Sequence, residues 1–336
     1  MNRTLLGFRP VQLNGWWIVG RREVGWRLRT LDKHASFLRP GKAGKGGAGV
    51  IEFRRMSTLS RRTFIGGAAL SAVSFRLSAE AIGIPPGTQT YPFRNEFAKD
   101  IPGTLKALAG IGTRRIELCS PWSYREFAGF KDYKPSDLKK LLDSNNIVVE
   151  SCHYGMPELK SNLDERIEWA KELGMKQMIL ASMPIPRLDA KLADWDRACD
   201  DLNKAGEQAL KGGVQIGFHN HNGEFARIDD VLIYDHLMQA LEPKAVKLQF
   251  QVSVISIGYK AEDYLTKYAG RFISLHLQDW SSAEKKQVPL GKGDVAWAKL
   301  FAAAKKAGVK NWYVELESLN MDATKDSYAF LKTLKG

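Results

Sequence analysis

The chain has little cysteine, no long apolar run and no glycine fingerprint, and each absence removes a class of protein. Only Cys119, Cys152 and Cys199 occur in 336 residues, with no C-x-x-C and no metal-ligand spacing. Three scattered cysteines exclude a disulfide-built scaffold and a cysteine-held structural zinc. They read first as buried thiols, with room for one disulfide in an oxidising compartment. No apolar stretch approaches the ~20 residues that span a bilayer. An open doubly wound nucleotide-binding sheet would carry a glycine motif after its first strand, and "TYPFRNEF" has none.

The body also lacks an excess of charge, although the whole chain carries +13. Residues 1–55 hold 12 Lys/Arg against 3 Asp/Glu, and residues 56–81 hold three Arg against one Glu, leaving 35 against 33, a net of +2, for residues 82–336. The basic character therefore belongs to the leader and says little about the partners of the body. Within it, "MSTLSRRTFIGGAALSAVSFRLSAEA" (residues 56–81) runs from a methionine through Arg61 and Arg62 to a modest apolar stretch and an Ala79-x-Ala81 cleavage pattern. Ser60–Ile65 resembles a twin-arginine export signal, a receptor-read address rather than an anchor. The expected location is periplasmic or extracellular, with the twin-arginine translocation machinery as a partner and no stable membrane anchor. Residues 1–55 are read as a non-native or disordered extension. Their basic, tryptophan-bearing stretch could bind nucleic acid, but the export signal downstream argues against that partner.

From Gly87 onward, eight β-rich runs alternate with amphipathic stretches. The runs are residues 88–93, 114–119, 147–154, 176–182, 214–221, 246–252, 272–280 and 312–318. Several of the intervening stretches end in Gly, as helix C-termini prefer. Eight strands, each followed by a helix, predict an α/β fold: a single (β/α)8 TIM barrel over residues 82–336, preceded by the leader.

Barrel active sites lie at the C-terminal ends of the strands. Of six histidines, four (His153, His219, His221 and His276) fall in the C-terminal parts of predicted strands three, five and seven. Side chains alternate along a strand, so His219 and His221 share a face, as do Glu315 and Glu317. Glu117 ends predicted strand two, where it orients other groups or pairs with an arginine such as Arg94. A single such histidine is more often a satisfied core residue than a ligand. Four at one rim with carboxylates indicate a site able to hold a divalent metal or to move protons near neutral pH. Lys292, between Gly291 and Gly293 after strand seven, sits where barrels often bind phosphate, and a solvated loop lysine is the alternative.

"IGFHNHNGEF", "GRFISLHLQDW", "VPLGKGDVAWAKLF" and "YVELE", in this order, resemble the xylose isomerase-like TIM barrels, also known as sugar phosphate isomerase/epimerase or AP-endonuclease-2-type proteins. That resemblance runs from about Gly87 to the C-terminus and is poorly specific for substrate. It implies one divalent metal held by a carboxylate on strand five, Asp on six, His on seven and Glu on eight. Carried over, the ligands are His219, Gln251, His276 and Glu315. Gln251 and His219 stand where acids are usual, so the site should prefer Zn, Mn, Fe or Co to Mg, with a metal-free acid/base site as the alternative.

The resemblance further implies proton abstraction next to a carbonyl of a sugar or keto-sugar, making the chain an isomerase or epimerase. Glu315 would be ligand and base; His153, His221, Glu224 and Glu117 are the other catalytic candidates, with Lys292 and Arg94 at the substrate. The alternatives are a 3-keto-glycoside lyase or hydrolase, a non-catalytic sugar-binding barrel with a decayed metal site, and a repair nuclease. The near-neutral body argues against the last.

Overall fold

The computed structural model describes residues 83–85, 87–186 and 189–334. The extension and export signal expected over residues 1–81 lie outside the described residues.

Eight parallel strands close into a barrel. They are β1 (Gly87–Gln89), β2 (Arg115–Cys119), β3 (Val148–Tyr154), β4 (Gln177–Leu180), β5 (Gln215–His219), β6 (Val246–Gln251), β7 (Phe272–Leu277) and β8 (Asn311–Val314). Each pairs with its neighbour in sequence, and β1 closes on β8 through Thr88 and Val314. The expected fold is the observed one.

Period-two alternation splits each strand between two environments. Ile116, Leu118, Cys152, Tyr154, Ile216, Phe218, Leu248, Phe250, Leu275, Leu277, Trp312 and Val314 are all buried. They fall on one parity of their strands, the helix-packed side, where burying a Leu or Phe stabilises the fold by about 1.5–3 kcal/mol. The opposite parity, facing the lumen, is polar: Gln89, Glu117, Ser151, His153, His219, Gln249, Gln251, Ser274 and His276 are buried there. Cys119 and Cys152 are free thiols on opposite parities of adjacent strands.

The surrounding helices end as their sequences suggest. Asp100 caps the helix Ile101–Ile111 by accepting from the Gly103 N–H at 2.9 Å, and Gly112 closes it at φ 105°, a conformation that costs other residues strain. Among the described residues no helix is long and apolar enough to cross a membrane.

Several strands are shorter than the sequence implied, and four of them show why. β1 stops at Gln89 because Tyr91–Phe93 forms a 3-10 turn around Pro92, which has no N–H to give to a ladder. β5 stops at His219, leaving His221 in the loop, where Asn222–Phe225 turns. β7 stops at Leu277, and Asp279–Ser281 pairs antiparallel with Lys286–Val288. β8 stops at Val314, so Glu315 and Glu317 lie just past its end rather than within it.

Candidate active site

Parity and register bring the lumen groups together. Cys119 on β2 is level with His153 on β3, Gln251 on β6 with His276 on β7, and His276 with Tyr313 on β8. The rings of His153 and His276 stack at 5.1 Å between centroids, and His219 lies 5.0 Å from the first and 4.5 Å from the second. His221 meets His219 edge-on at 4.8 Å from the exposed rim. All four rim histidines form one cluster.

His276 is held between two carboxylates. Its Nε2 bonds Glu117 Oε2, and its Nδ1 lies 3.0 Å from Glu315 Oε2. Glu117, wholly buried, also accepts from Gln89 Nε2 at 3.0 Å, Gln249 Nε2 at 2.8 Å and Ser151 Oγ. His153 Nε2 is 3.1 Å from the same carboxylate and 2.8 Å from Gln249 Oε1. Both neighbours are acceptors, so this nitrogen carries the proton. Glu315 Oε2 receives Gln251 Nε2 at 2.6 Å and Gln278 Nε2 at 3.2 Å. Among the described residues, the hydrogen bonds at Glu315 all go to Oε2, which leaves Oε1 available to a substrate.

Electrostatics follow from this packing. Burial alone would raise Glu117, but the charges of His153 and His276 and their hydrogen bonds outweigh it and hold the acid well below the usual carboxylate range. Glu315 is likewise pushed up by burial and pulled further down by His276, to about 2. Burial opposes the charged form of His276, yet Glu315 and Glu117 lift it to about 10. His219 is driven well below its ordinary value by burial and by the neighbouring imidazoles. The site thus holds an imidazolium between two anions, beside a neutral imidazole.

The other candidate residues do different work. Glu224 is buried, and Oε2 accepts from the His221 backbone N–H at 2.7 Å, fixing the loop. Burial, only partly offset by backbone hydrogen bonds, raises it to about 7. Arg94 does not pair with Glu117: it donates to the Tyr91 carbonyl at 3.0 Å and its guanidinium lies 4.4 Å from the Tyr91 ring centroid. Gln251 turns its amide N–H towards Glu315 rather than offering a carbonyl to a cation.

Lys292 is exposed, and its loop is already wrapped around an anion, the buried carboxylate of Asp279. Asp279 accepts from the N–H groups of Gly291 (2.9 Å), Gly293 (3.1 Å) and Val295 (3.2 Å), and from Trp297 Nε1 (3.1 Å). A Cβ on Gly293 would fall 2.3 Å from Asp279 Oδ1, and one on Gly291 2.4 Å from the Phe330 ring. The close approach expected of these glycines is real, but its object is Asp279 and Phe330, which leaves no backbone cradle for a phosphate.

Sequence reasoning missed Gln89, Ser151, Gln249, Ser274 and Gln278. Parity marks three of them: Ser151, Gln249 and Ser274 lie two residues before His153, Gln251 and His276.

His153, His219 and His276 each offer one nitrogen, and these atoms lie within 4.8 Å of one another. Among the described residues, His219 Nδ1 is buried without a hydrogen-bond partner, an orphan that a cation would satisfy. The donor set fits a divalent metal once His276, protonated on both nitrogens between its carboxylates in the metal-free site, gives up one ring proton to the incoming cation. It shares His219 and His276 with the ligands implied by the resemblance and adds His153.

The Xylose isomerase-like TIM barrel family matches residues 105–334. Inosose dehydratase of Geobacillus thermodenitrificans is 25% identical over 217 residues, covering 53% of this chain and 71% of that protein. Its counterpart in Clostridium beijerinckii is 27% identical over 180 residues, covering 45% and 60%. The fold matches a sugar phosphate isomerase/epimerase from Parabacteroides distasonis with a TM-score of 0.64 at 24% identity, covering 79% of this chain and 98% of that one. A D-psicose 3-epimerase matches at a TM-score of 0.54 and 13% identity, over 74% and 99%. A family match over most of the barrel, agreeing with the closed eight-stranded fold and its histidine-lined mouth, establishes that the chain belongs to the xylose isomerase-like TIM barrel family.

Proposed function

We propose that this protein is a sugar-modifying enzyme that removes a proton next to a carbonyl of a sugar or keto-sugar, as an isomerase or epimerase. The observation that carries this reading is Glu315, anionic and buried at the barrel mouth, with Oε2 fixed by three donors and Oε1 open. A carboxylate held near 2 is a weak base, so the C–H bond it attacks must be acidified. A divalent metal on His153, His219 and His276, with Zn, Mn, Fe or Co suited to imidazole donors, would supply that by polarising the carbonyl. Glu315 Oε1 would take the proton; Glu117 fixes His276 and His153 from below; His221, at the rim, is placed to handle the substrate's hydroxyl protons.

A lyase shares the first step and then expels a group β to the carbanion. The dehydratase names of the curated relatives favour this second reading. Incubating the purified chain with keto-sugars in deuterium oxide separates the two. Exchange at the α-carbon with the skeleton intact indicates epimerisation or isomerisation, exchange with loss of water or of an aglycone indicates elimination, and no exchange on any keto-sugar refutes both.

Export by the twin-arginine route is a further part of the reading, supported by Ser60–Ile65 and by the concentration of positive charge in residues 1–81. Fractionation of the native host should recover a shortened chain outside the cytoplasm, and a full-length cytoplasmic chain would refute export.

A further inference from the structure

One built feature on the same barrel face has no part in the chemistry above. Trp122, in the loop after β2, is 39% exposed, whereas Trp169, Trp195, Trp297 and Trp312 are buried. A lone exposed aromatic needs no explanation. This one has a rigid support. The guanidinium of Arg166 lies 3.6 Å from the centroid of the indole ring, and Trp169 meets it edge-on at 5.3 Å. Arg166 and Trp169 lie one turn apart on the helix Leu163–Leu173, so a single helix face supplies both contacts to the indole of Trp122, which stays 39% exposed.

Arg166 is itself pinned. Its Nε donates to Glu158 Oε2 at 3.1 Å, and Glu158 also accepts from Ser120 Oγ at 2.7 Å and from Ser123 Oγ. Arg166 and Glu158 are both buried. A buried ion pair is a poor source of stability, because desolvation offsets its attraction. Its effect here is to fix the plane of a cation beneath an aromatic ring.

The loop that carries the shelf is tied to β3, the strand that bears His153. Ser120 N–H donates to the His153 carbonyl at 2.8 Å. Trp122 follows two residues later, at most about 7 Å along the chain, a reach comparable with the width of one hexose ring.

We infer that Trp122 is an aromatic shelf for the second ring of a larger glycoside, whose first ring lies at the histidine cluster. Pyranose rings present an apolar face of C–H groups, and an indole fixed in plane takes such a face without first losing side-chain freedom. The inference rests on the sugar reading and narrows it to glycosides or disaccharides rather than free monosaccharides.

Calorimetric or saturation-transfer titration of the full chain needs no turnover. The probes are glucose, cellobiose and phenyl β-glucoside. The two-ring ligands should bind about tenfold more tightly than glucose, equivalent to ~1.4 kcal/mol. Trp122→Ala should erase that preference and Trp122→Phe should keep most of it, with melting curves confirming that both variants fold. Equal affinity for one-ring and two-ring ligands in the native chain, or a preference that survives Trp122→Ala, overturns the shelf. Deuterium exchange on a keto-monosaccharide reports the chemistry separately. A chain that exchanges but shows no two-ring preference loses the shelf alone; a chain that binds no saccharide and exchanges none loses both readings.

Discussion

Glu117 and His276, both fully buried, are hydrogen-bonded to each other inside the barrel, from strands separated by β8 and β1. The contact makes one unit of the lumen: Gln89, Ser151, Gln249 and His153 converge on Glu117, and His276 carries the line on to Glu315. Removing one member leaves its partners as buried, unmatched groups, which costs more than the pair contributed. Glu117→Gln keeps the shape and removes the charge. It should lower stability by about 3 kcal/mol in urea unfolding at neutral pH. A loss below half a kcal/mol would mean that the anion does not organise the lumen.

The same line fixes a pH dependence. With its pKa raised to about 10, His276 stabilises the metal-free fold fully below its unfolded value of about 6.5. Between those values the native state holds a proton that the unfolded state has lost, so stability falls as pH rises. Glu315 runs the other way: lowered to about 2, its contribution is present above its unfolded value of about 4.3 and lost as pH falls towards 2. Denaturant midpoints of the metal-free chain should therefore peak between about pH 4.3 and 6.5. A midpoint rising steadily from pH 7 to pH 9 would contradict the clamped imidazolium.

Asp279 gives a prediction about a loop that looks like a phosphate site. Asp279→Ala would strip the acceptor from four backbone N–H groups, those of Trp280, Gly291, Gly293 and Val295, and from the Trp297 indole, at a cost of about 3 kcal/mol. Lys292→Ala should change KM for any productive sugar less than twofold, because the lysine is exposed and the loop's donors are already used. A large KM increase confined to phosphorylated sugars would show that the loop opens to bind phosphate.

Much of this was legible in the residues. Eight strand-helix units gave the barrel, and strand-end position gave the histidine cluster. Roles were harder to read, because they depend on which of several polar groups reaches which. Glu117 could have paired with Arg94 and instead meets two histidines; Gln251 could have offered its carbonyl and instead donates to Glu315. The strand ends were overrun for a local reason. "FHNH" and "LHLQD" continue the alternation of a strand, while capping by Glu224 and the Asp279 loop end the ladder.

His219 offers the sharpest test of the metal. Its Nδ1 has no hydrogen-bond partner among the described residues, so His219→Ala breaks none of their bonds at that atom. The variant should fold with a melting temperature within a few degrees of the parent, while metal content by elemental analysis falls to background. His276→Ala should lose metal as well, and with it several kcal/mol of stability, because Glu117 and Glu315 would face each other without the cation between them. The contrast separates a ligand from a structural histidine. If metal persists in His219→Ala, the orphaned nitrogen is not a ligand and the cation sits with Glu315 at the mouth. If the parent purified without chelator carries no metal and still exchanges the α-proton, the cluster works as a metal-free acid/base site.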